Sequence, residues 1–258
     1  MPLTNKLPYG FPLHCIIYGD AGAKKSTCAA TFPKPMLVLS FDPFGKELPY
    51  LRRGRPGDRT RTDAGYFITP VWHAERDEVS IMIEHFVDPD PEQPTIWGAY
   101  LSRMHTLVRS GELTQWKTVV FDSLTFMEFS ARMWDKYKAN KGAKDGRQHY
   151  GASKDAVELQ VLGRASAFPC NVVAIAHVDE EKDDAHGGMI YNPAAPGKLS
   201  KRLPAGFTEL YRAFVKTENG KNDWLLQTEK SSLFNASSQI PAPDPCPPDY
   251  RALWTREE

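Results

Sequence analysis

The sequence predicts an α/β fold with a mostly parallel central sheet flanked by helices and a C-terminal antiparallel hairpin. Three observations carry this. First, an apolar run from Leu13 to Tyr18, broken by His14, enters a glycine-containing turn that ends in Lys24-Lys25-Ser26-Thr27 and then small, helix-compatible residues. Second, the apolar runs Met36–Phe41, Lys117–Phe121 and Asn171–Ala176 stop at Asp42, Asp122 and His177. Unbroken apolar runs with a polar tip suit strands covered on both faces, which is the environment of a parallel sheet. Third, Tyr211–Thr217 and Trp224–Thr228 alternate around Glu218-Asn219-Gly220-Lys221-Asn222, the pattern of a hairpin.

Composition bounds the reading. The 258 residues are 41% hydrophobic and 25% charged, ordinary globular usage for a chain able to bury a full core. Net charge is zero, so any nucleic-acid contact must come from local patches rather than overall charge. The four cysteines, Cys15, Cys28, Cys170 and Cys246, are widely spaced and read as buried thiols of a reducing compartment. Residues 1–12 carry three prolines and no apolar core suited to a signal peptide, and no stretch approaches the ~20 apolar residues of a membrane span. The expectation is a cytoplasmic protein with no membrane partner.

The first strand and turn, Gly19-Asp20-Ala21-Gly22-Ala23-Lys24-Lys25-Ser26-Thr27, have the order strand, loop, helix start. Glycines let backbone N–H groups curl around phosphates, a lysine reaches the outer phosphate oxygens, and a hydroxyl ligates Mg²⁺. Those roles fall to Gly19 and Gly22, to Lys25, and to Ser26. The pattern G-x-x-x-x-G-K-[ST] is matched except before the lysine, where Lys24 replaces glycine. Its side chain must point away from the nucleotide or add a second positive charge beside it. A turn that binds no ligand is the bland alternative.

The helix opened by Lys25 ends before Phe32-Pro33-Lys34-Pro35, because proline cannot continue it. The second strand ends at Asp42, and ligand crevices lie at the carboxyl ends of such strands. Asp42, or more distantly Glu47, is therefore a candidate to orient an attacking water; an Asp that merely opens a turn is equally compatible. Residues 52–61 hold five arginines among turn formers and read as a mobile basic loop. Gly65–Trp72 has strand character and Val87–Pro94 reads as a linker. Ile96, Trp97, Tyr100, Leu101, Met104, Leu107 and Val108 recur at helical spacing until Gly111.

The strand ending at Asp122 is the second strong signal, since a carboxylate at a strand tip can hold Mg²⁺ directly or through water. Ser123 starts a helix that runs into a basic, glycine-containing loop over 138–151, with Lys138, Lys141, Lys144, Arg147 and Tyr150. Cations that follow a backbone and rings that stack on bases suit single-stranded nucleic acid; a solvated loop is the alternative. A helix from Ser153 leads to the strand ending at His177, a candidate sensor of the terminal phosphate. Asp179, Asp183, Asp184 and His186 match no metal-ligand spacing. Residues 178–205 read as a long loop carrying Lys198, Lys201 and Arg202. Residues 240–258 read as a proline-rich extended tail.

This order of parts resembles the RecA-like P-loop ATPase core. More narrowly it resembles the small phage-encoded RecA-like ATPases of DNA recombination, including the single-strand annealing type. The likeness is carried by Ile17-Tyr18-Gly19 through Pro35, by Val119–Ser123 and by Cys170–His177. The resemblance implies one ATPase domain over 13–239 with a divergent insertion at 55–95, an N-terminal lead-in over 1–12 and the tail over 240–258. It further implies ATP and Mg²⁺ as cofactors, with Lys25 on phosphate, Ser26 and Asp122 on the metal, Asp42 near the water and His177 as sensor. Loops 138–151 and 178–205 would bind single-stranded DNA. ATP would lie between subunits of a homo-oligomer, with Lys198, Lys201 or Arg202 as a basic finger, and a single-strand-binding protein is a possible partner. A phage-encoded member would work in the host cytoplasm. Two other functions stand beside it: a non-hydrolysing nucleotide-binding scaffold marked by Lys24, and a P-loop kinase that uses the 52–61 arginines as a lid.

Overall fold

The computed structural model describes residues 12–182, 189–195 and 199–254, with the side chains of Lys201 and Trp254 outside that description. The chain enters on β1 (His14–Gly19) and starts α1 (Lys25–Ala29) after the glycine turn. β2 (Met36–Ser40) and a short α2 (Leu48–Leu51) follow. Residues 55–85 supply β3 (Arg55–Pro56), β4 (Thr60–Arg61), β5 (Phe67–Trp72) and β6 (Val79–His85). Next come α3 (Ile96–Arg109), β7 (Thr118–Asp122), α4 (Leu124–Trp134), a π-helical turn at Asp135–Ala139, α5 (Arg147–Val161) and β8 (Asn171–Ala176). β9 (Val178–Lys182), β10 (Met189–Pro193), α6 (Leu199–Arg202), β11 (Glu209–Glu218) and β12 (Lys221–Gln227) complete the order.

The main sheet runs β12-β11-β1-β8-β7-β2-β6-β5-β3, with β4 beside β5. Its six middle strands, β11 through β6, pair in parallel, and antiparallel pairs close both edges. Every residue of β2, β7 and β8 is buried. Alternation then divides each strand between two cores. Ile16, Tyr18, Leu37, Leu39 and Phe121 face α3, α4 and α5, while Cys15, Ile17, Met36 and Val38 face α1 and the C-terminal segment. Burying each such aliphatic chain contributes roughly 1.5–3 kcal/mol, so both sheet faces drive folding.

Several expectations are corrected. The segment read as a divergent insertion supplies β6, which pairs parallel with β2 in the body of the sheet. The arginine-rich stretch 52–61 is pinned there, as β3 and β4 both pair with β5, and Arg59 forms an ion pair with Glu47. α5 begins at Arg147, earlier than the expected Ser153, because His149 is buried and its Nδ1 lies 2.6 Å from Asp135 Oδ2. Residues 178–205 are not one long loop: β9 and β10 form an antiparallel hairpin. The described part of the tail, residues 240–254, is packed rather than extended, with Ile240, Cys246, Tyr250 and Leu253 buried and Tyr250 against Phe32, ring centroids 4.8 Å apart. All four cysteines are buried and free. No helix among the described residues is long and apolar enough to cross a membrane.

Candidate functional site

The carboxyl ends of β1, β2, β7 and β8 open into one cleft of about 390 Å³. Ala21, Gly22, Lys24, Lys25, Ser26 and Thr27 line it from the turn after β1, Asp42 from the end of β2, Asp122 and Ser123 from β7, and His177 from β8. Four segments spread from Ala21 to His177 thus meet at one edge, because parallel strands all point their carboxyl ends the same way.

Each glycine of the loop has a distinct cause. A Cβ on Gly19, where φ is +152°, would sit 2.1 Å from the carbonyl oxygen of Ala213, so that position serves the close passage of β11 beside β1. Gly22 has φ +81° and open space around it, so its need is conformational. Lys24 adopts the left-handed region at φ 62°, ψ 30°, a conformation costing a side-chain-bearing residue about 1–2 kcal/mol. Its ammonium lies 3.4 Å from the ring centroid of Trp224 on β12. The same indole donates through Nε1 to the Gly22 carbonyl at 3.1 Å.

Lys25 is buried and its Nζ donates to the carbonyl oxygens of Gly19 at 2.8 Å and Asp20 at 2.7 Å. Burial lowers its pKa against the opposing charges of Asp122, Asp20 and Asp42. Ala23 is buried beneath the loop, whereas Asp20 and Ala21 are exposed. At the cleft floor Asp122 is buried, and its Oδ2 accepts a 2.7 Å hydrogen bond from the hydroxyl of Tyr50. Burial, reinforced by the negative charge of Asp42, pushes the Asp122 carboxyl up to about 6 against the hydrogen bonds of Tyr50 and Ser26 and the charge of Lys25. Asp42 accepts from the Ser123 hydroxyl at 2.7 Å. Glu47, the other candidate carboxylate, is taken up by Arg59 and the Gly45 amide and does not line the cleft. His177 has its pKa lowered by burial and by Lys25, and its backbone N–H donates to Thr125 Oγ1 at 3.3 Å.

Asp122 Oδ1 is buried without a hydrogen-bond partner. A carboxylate oxygen left without a donor beside a serine hydroxyl is a hard-oxygen set that fits Mg²⁺. Ser26 and Asp122 would hold it, and the loop N–H groups with Lys25 fit the phosphates it accompanies.

The residues assigned to DNA sit elsewhere. Lys138, Lys141, Lys144 and Arg147 are exposed around the turn before α5, Arg147 paired with Asp145. Tyr150 is exposed on α5, with the Arg132 guanidinium 4.6 Å from its ring centroid. It lines a second cavity of about 580 Å³ with Thr125, Glu128, Lys154 and Asp179, joined to the cleft through the Thr125–His177 hydrogen bond. Arg202 pairs instead with Glu158 of α5, away from the cleft. Lys198, like Asp183, Asp184 and His186, lies outside the described residues, as does the Lys201 side chain. Sequence reading missed Tyr50 and Trp224, which sit in a short helix and a hairpin strand with no motif around them.

A parallel sheet with the phosphate-type loop after β1, an aspartate at the tip of β7 and β8 between those two strands defines a RecA-like P-loop ATPase fold. The chain belongs to the AAA domain family, whose model matches residues 12–239. Among solved structures it is similar to a KaiC-like protein from Pyrococcus horikoshii, at 13% identity over 89% of this chain and 84% of that one, TM-score 0.44. It is also similar to the flagellar accessory protein FlaH from Methanocaldococcus jannaschii, at 9% identity over 88% and 82%, TM-score 0.38. No curated protein matches the chain.

Proposed function

We propose that this protein binds Mg²⁺·ATP in the β1–β2–β7–β8 cleft, hydrolyses it, and couples the nucleotide to single-stranded DNA in recombination, annealing or repair. The observation that carries the nucleotide reading is the unpartnered, buried Oδ1 of Asp122, a residue that lines the cleft together with Lys25 and Ser26. Mg²⁺ bound there would neutralise charge on the phosphates. Lys25 would exchange its loop carbonyls for phosphate oxygens, Asp42 would orient and take a proton from the attacking water, and neutral His177 would report the terminal phosphate. The DNA reading is supported by the exposed Lys138, Lys141, Lys144 and Tyr150, with Thr125 linking the Tyr150 cavity to His177. Assembly with ATP between subunits is part of the same proposal.

Two rivals fare less well. Lys24 resting on Trp224 argues against a loop silenced by that lysine. Strand pairing of residues 55–61 argues against an arginine lid of the kinase type. The test is ATP turnover by the purified protein with and without single-stranded DNA, beside Lys25→Ala. Turnover stimulated by DNA and reduced about 10²- to 10³-fold in the variant is expected, the scale of losing one preorganised charge-stabilising group. Binding of Mg²⁺·ATP with no turnover in either condition would overturn the hydrolytic reading.

A further inference from the structure

The loop lacks the glycine that its pattern wants before Lys25, and the structure holds a partner for the residue found there. Lys24 is in the left-handed region, exposed, with its ammonium 3.4 Å from the Trp224 ring centroid. A lysine free to rotate at this point would lie beside Lys25, competing with it for the same anionic ligand and repelling it. The cation–π contact holds the ammonium on the ring of Trp224, a residue that does not itself line the cleft. Trp224 also takes the Gly22 carbonyl as acceptor at 3.1 Å, turning that oxygen toward the indole. Carbonyls that face out leave N–H groups to face in, which is what an anion cradle requires.

Loop and clamp are also built on one frame. β11 pairs parallel with β1, matching Gly19 to Ala213, and β12 pairs antiparallel with β11, matching Val215 to Trp224. The strand that feeds the loop therefore sets the height of the indole above it through two ladders of backbone hydrogen bonds. Gly19 allows that approach, since any Cβ there would strike the Ala213 carbonyl.

We infer that Trp224 is a positioning residue for the phosphate loop, replacing the missing glycine by clamping Lys24 on its ring and Gly22 in its cradle conformation. The inference rests on the nucleotide-binding reading for its consequence, but the clamp has a readout of its own. Two measurements test it on the full chain with Trp224→Ala, Trp224→Phe, Lys24→Gly and the Trp224→Ala/Lys24→Gly double variant. In nucleotide-free protein, amide hydrogen exchange over residues 20–26 rises tenfold or more in Trp224→Ala and less in Trp224→Phe, which keeps a ring but loses the donor. By calorimetry, Mg²⁺·ATP affinity falls about tenfold, a 1.4 kcal/mol loss, in Trp224→Ala, and the double variant recovers at least half of that loss on a logarithmic scale. Rescue by glycine separates the clamp from a general role of the tryptophan in the hairpin, which Lys24→Gly would leave unrepaired. Unchanged exchange in Trp224→Ala, or an affinity loss that Lys24→Gly does not relieve, overturns the inference. Clamp-dependent exchange in a protein that binds no Mg²⁺·ATP would keep the clamp and remove the nucleotide reading instead.

Discussion

Asp122 is the residue on which site chemistry and stability pull against each other. Its carboxyl is raised from 3.8 to about 6 by burial and by the charge of Asp42, so the folded protein holds the proton more tightly than the unfolded chain. The sign follows from linkage: this group's stabilising contribution is complete below about 4 and is lost as pH rises through about 6. A cation needs the opposite state, the ionised carboxylate. Mg²⁺·ATP affinity is therefore expected to fall as pH drops below about 6, while the nucleotide-free protein gains melting temperature over the same change. Asp122→Asn should flatten both profiles, abolish the Mg²⁺-dependent part of nucleotide binding and stabilise the nucleotide-free protein at pH 7 by about 1–3 kcal/mol, the scale of keeping that buried carboxylate ionised. Thermal unfolding and calorimetry between pH 5 and 8 check each outcome. A melting temperature for Asp122→Asn below that of the parent at pH 7 would contradict the assigned sign.

Among the elements, β6 shows how a core strand can be built on buried charge. Glu84 on this strand is buried, and burial raises its carboxyl against the hydrogen bonds and charge of Arg103. Arg103, from α3, donates to Glu84 at 2.8–3.0 Å and to Glu112 at 2.6–2.7 Å, tying strand, helix and the 3₁₀ turn after it into one network. Removing the cation leaves a desolvated carboxylate, which is costlier than the pair is favourable. Arg103→Ala is expected to destabilise the fold by about 3–5 kcal/mol in urea unfolding, most of it recovered when Glu84→Gln is added. This network also explains why β6 escaped detection. Val79-Ser80-Ile81-Met82-Ile83-Glu84-His85 carries three buried polar residues, and their partners, Arg103 for Glu84 and Thr69 for His85, lie on other elements.

For the molecule as a whole, the cleft at the sheet edge and the basic turn before α5 stand at two stations of one framework, joined through α4. Phosphate contacts release counterions, so binding of single strands weakens with salt in proportion to the charges engaged. Replacing Lys138, Lys141 and Lys144 together by alanine is expected to lower the slope of log affinity against log salt by about 2 for a single-stranded oligonucleotide. It should leave DNA-independent ATP turnover unchanged, because all three are exposed and none lines the cleft. Fluorescence anisotropy at several salt concentrations reads the slope, and an unaltered slope would remove this turn from the proposed DNA surface.

The parts legible from the sequence alone were those written in short local patterns. Continuous apolar runs announced β1, β2, β7 and β8, and glycine, lysine and serine at fixed offsets announced the turn after β1. Strand-tip aspartates marked Asp42 and Asp122, since an unbroken apolar run that stops at a carboxylate marks the carboxyl end of a strand, where the cleft of a parallel sheet lies. Tertiary structure decided what depends on a distant partner. Whether Asp42 or Glu47 enters the cleft was settled by Arg59, which occupies Glu47. The direction of Lys24 was settled by Trp224, two hundred residues later in the chain. The C-terminal segment became core once Phe32 and its neighbours on the outer face of the sheet offered it an apolar surface. Periodicity encodes which face of an element is apolar; the partner that covers a charge or a ring is set only when the chain has folded.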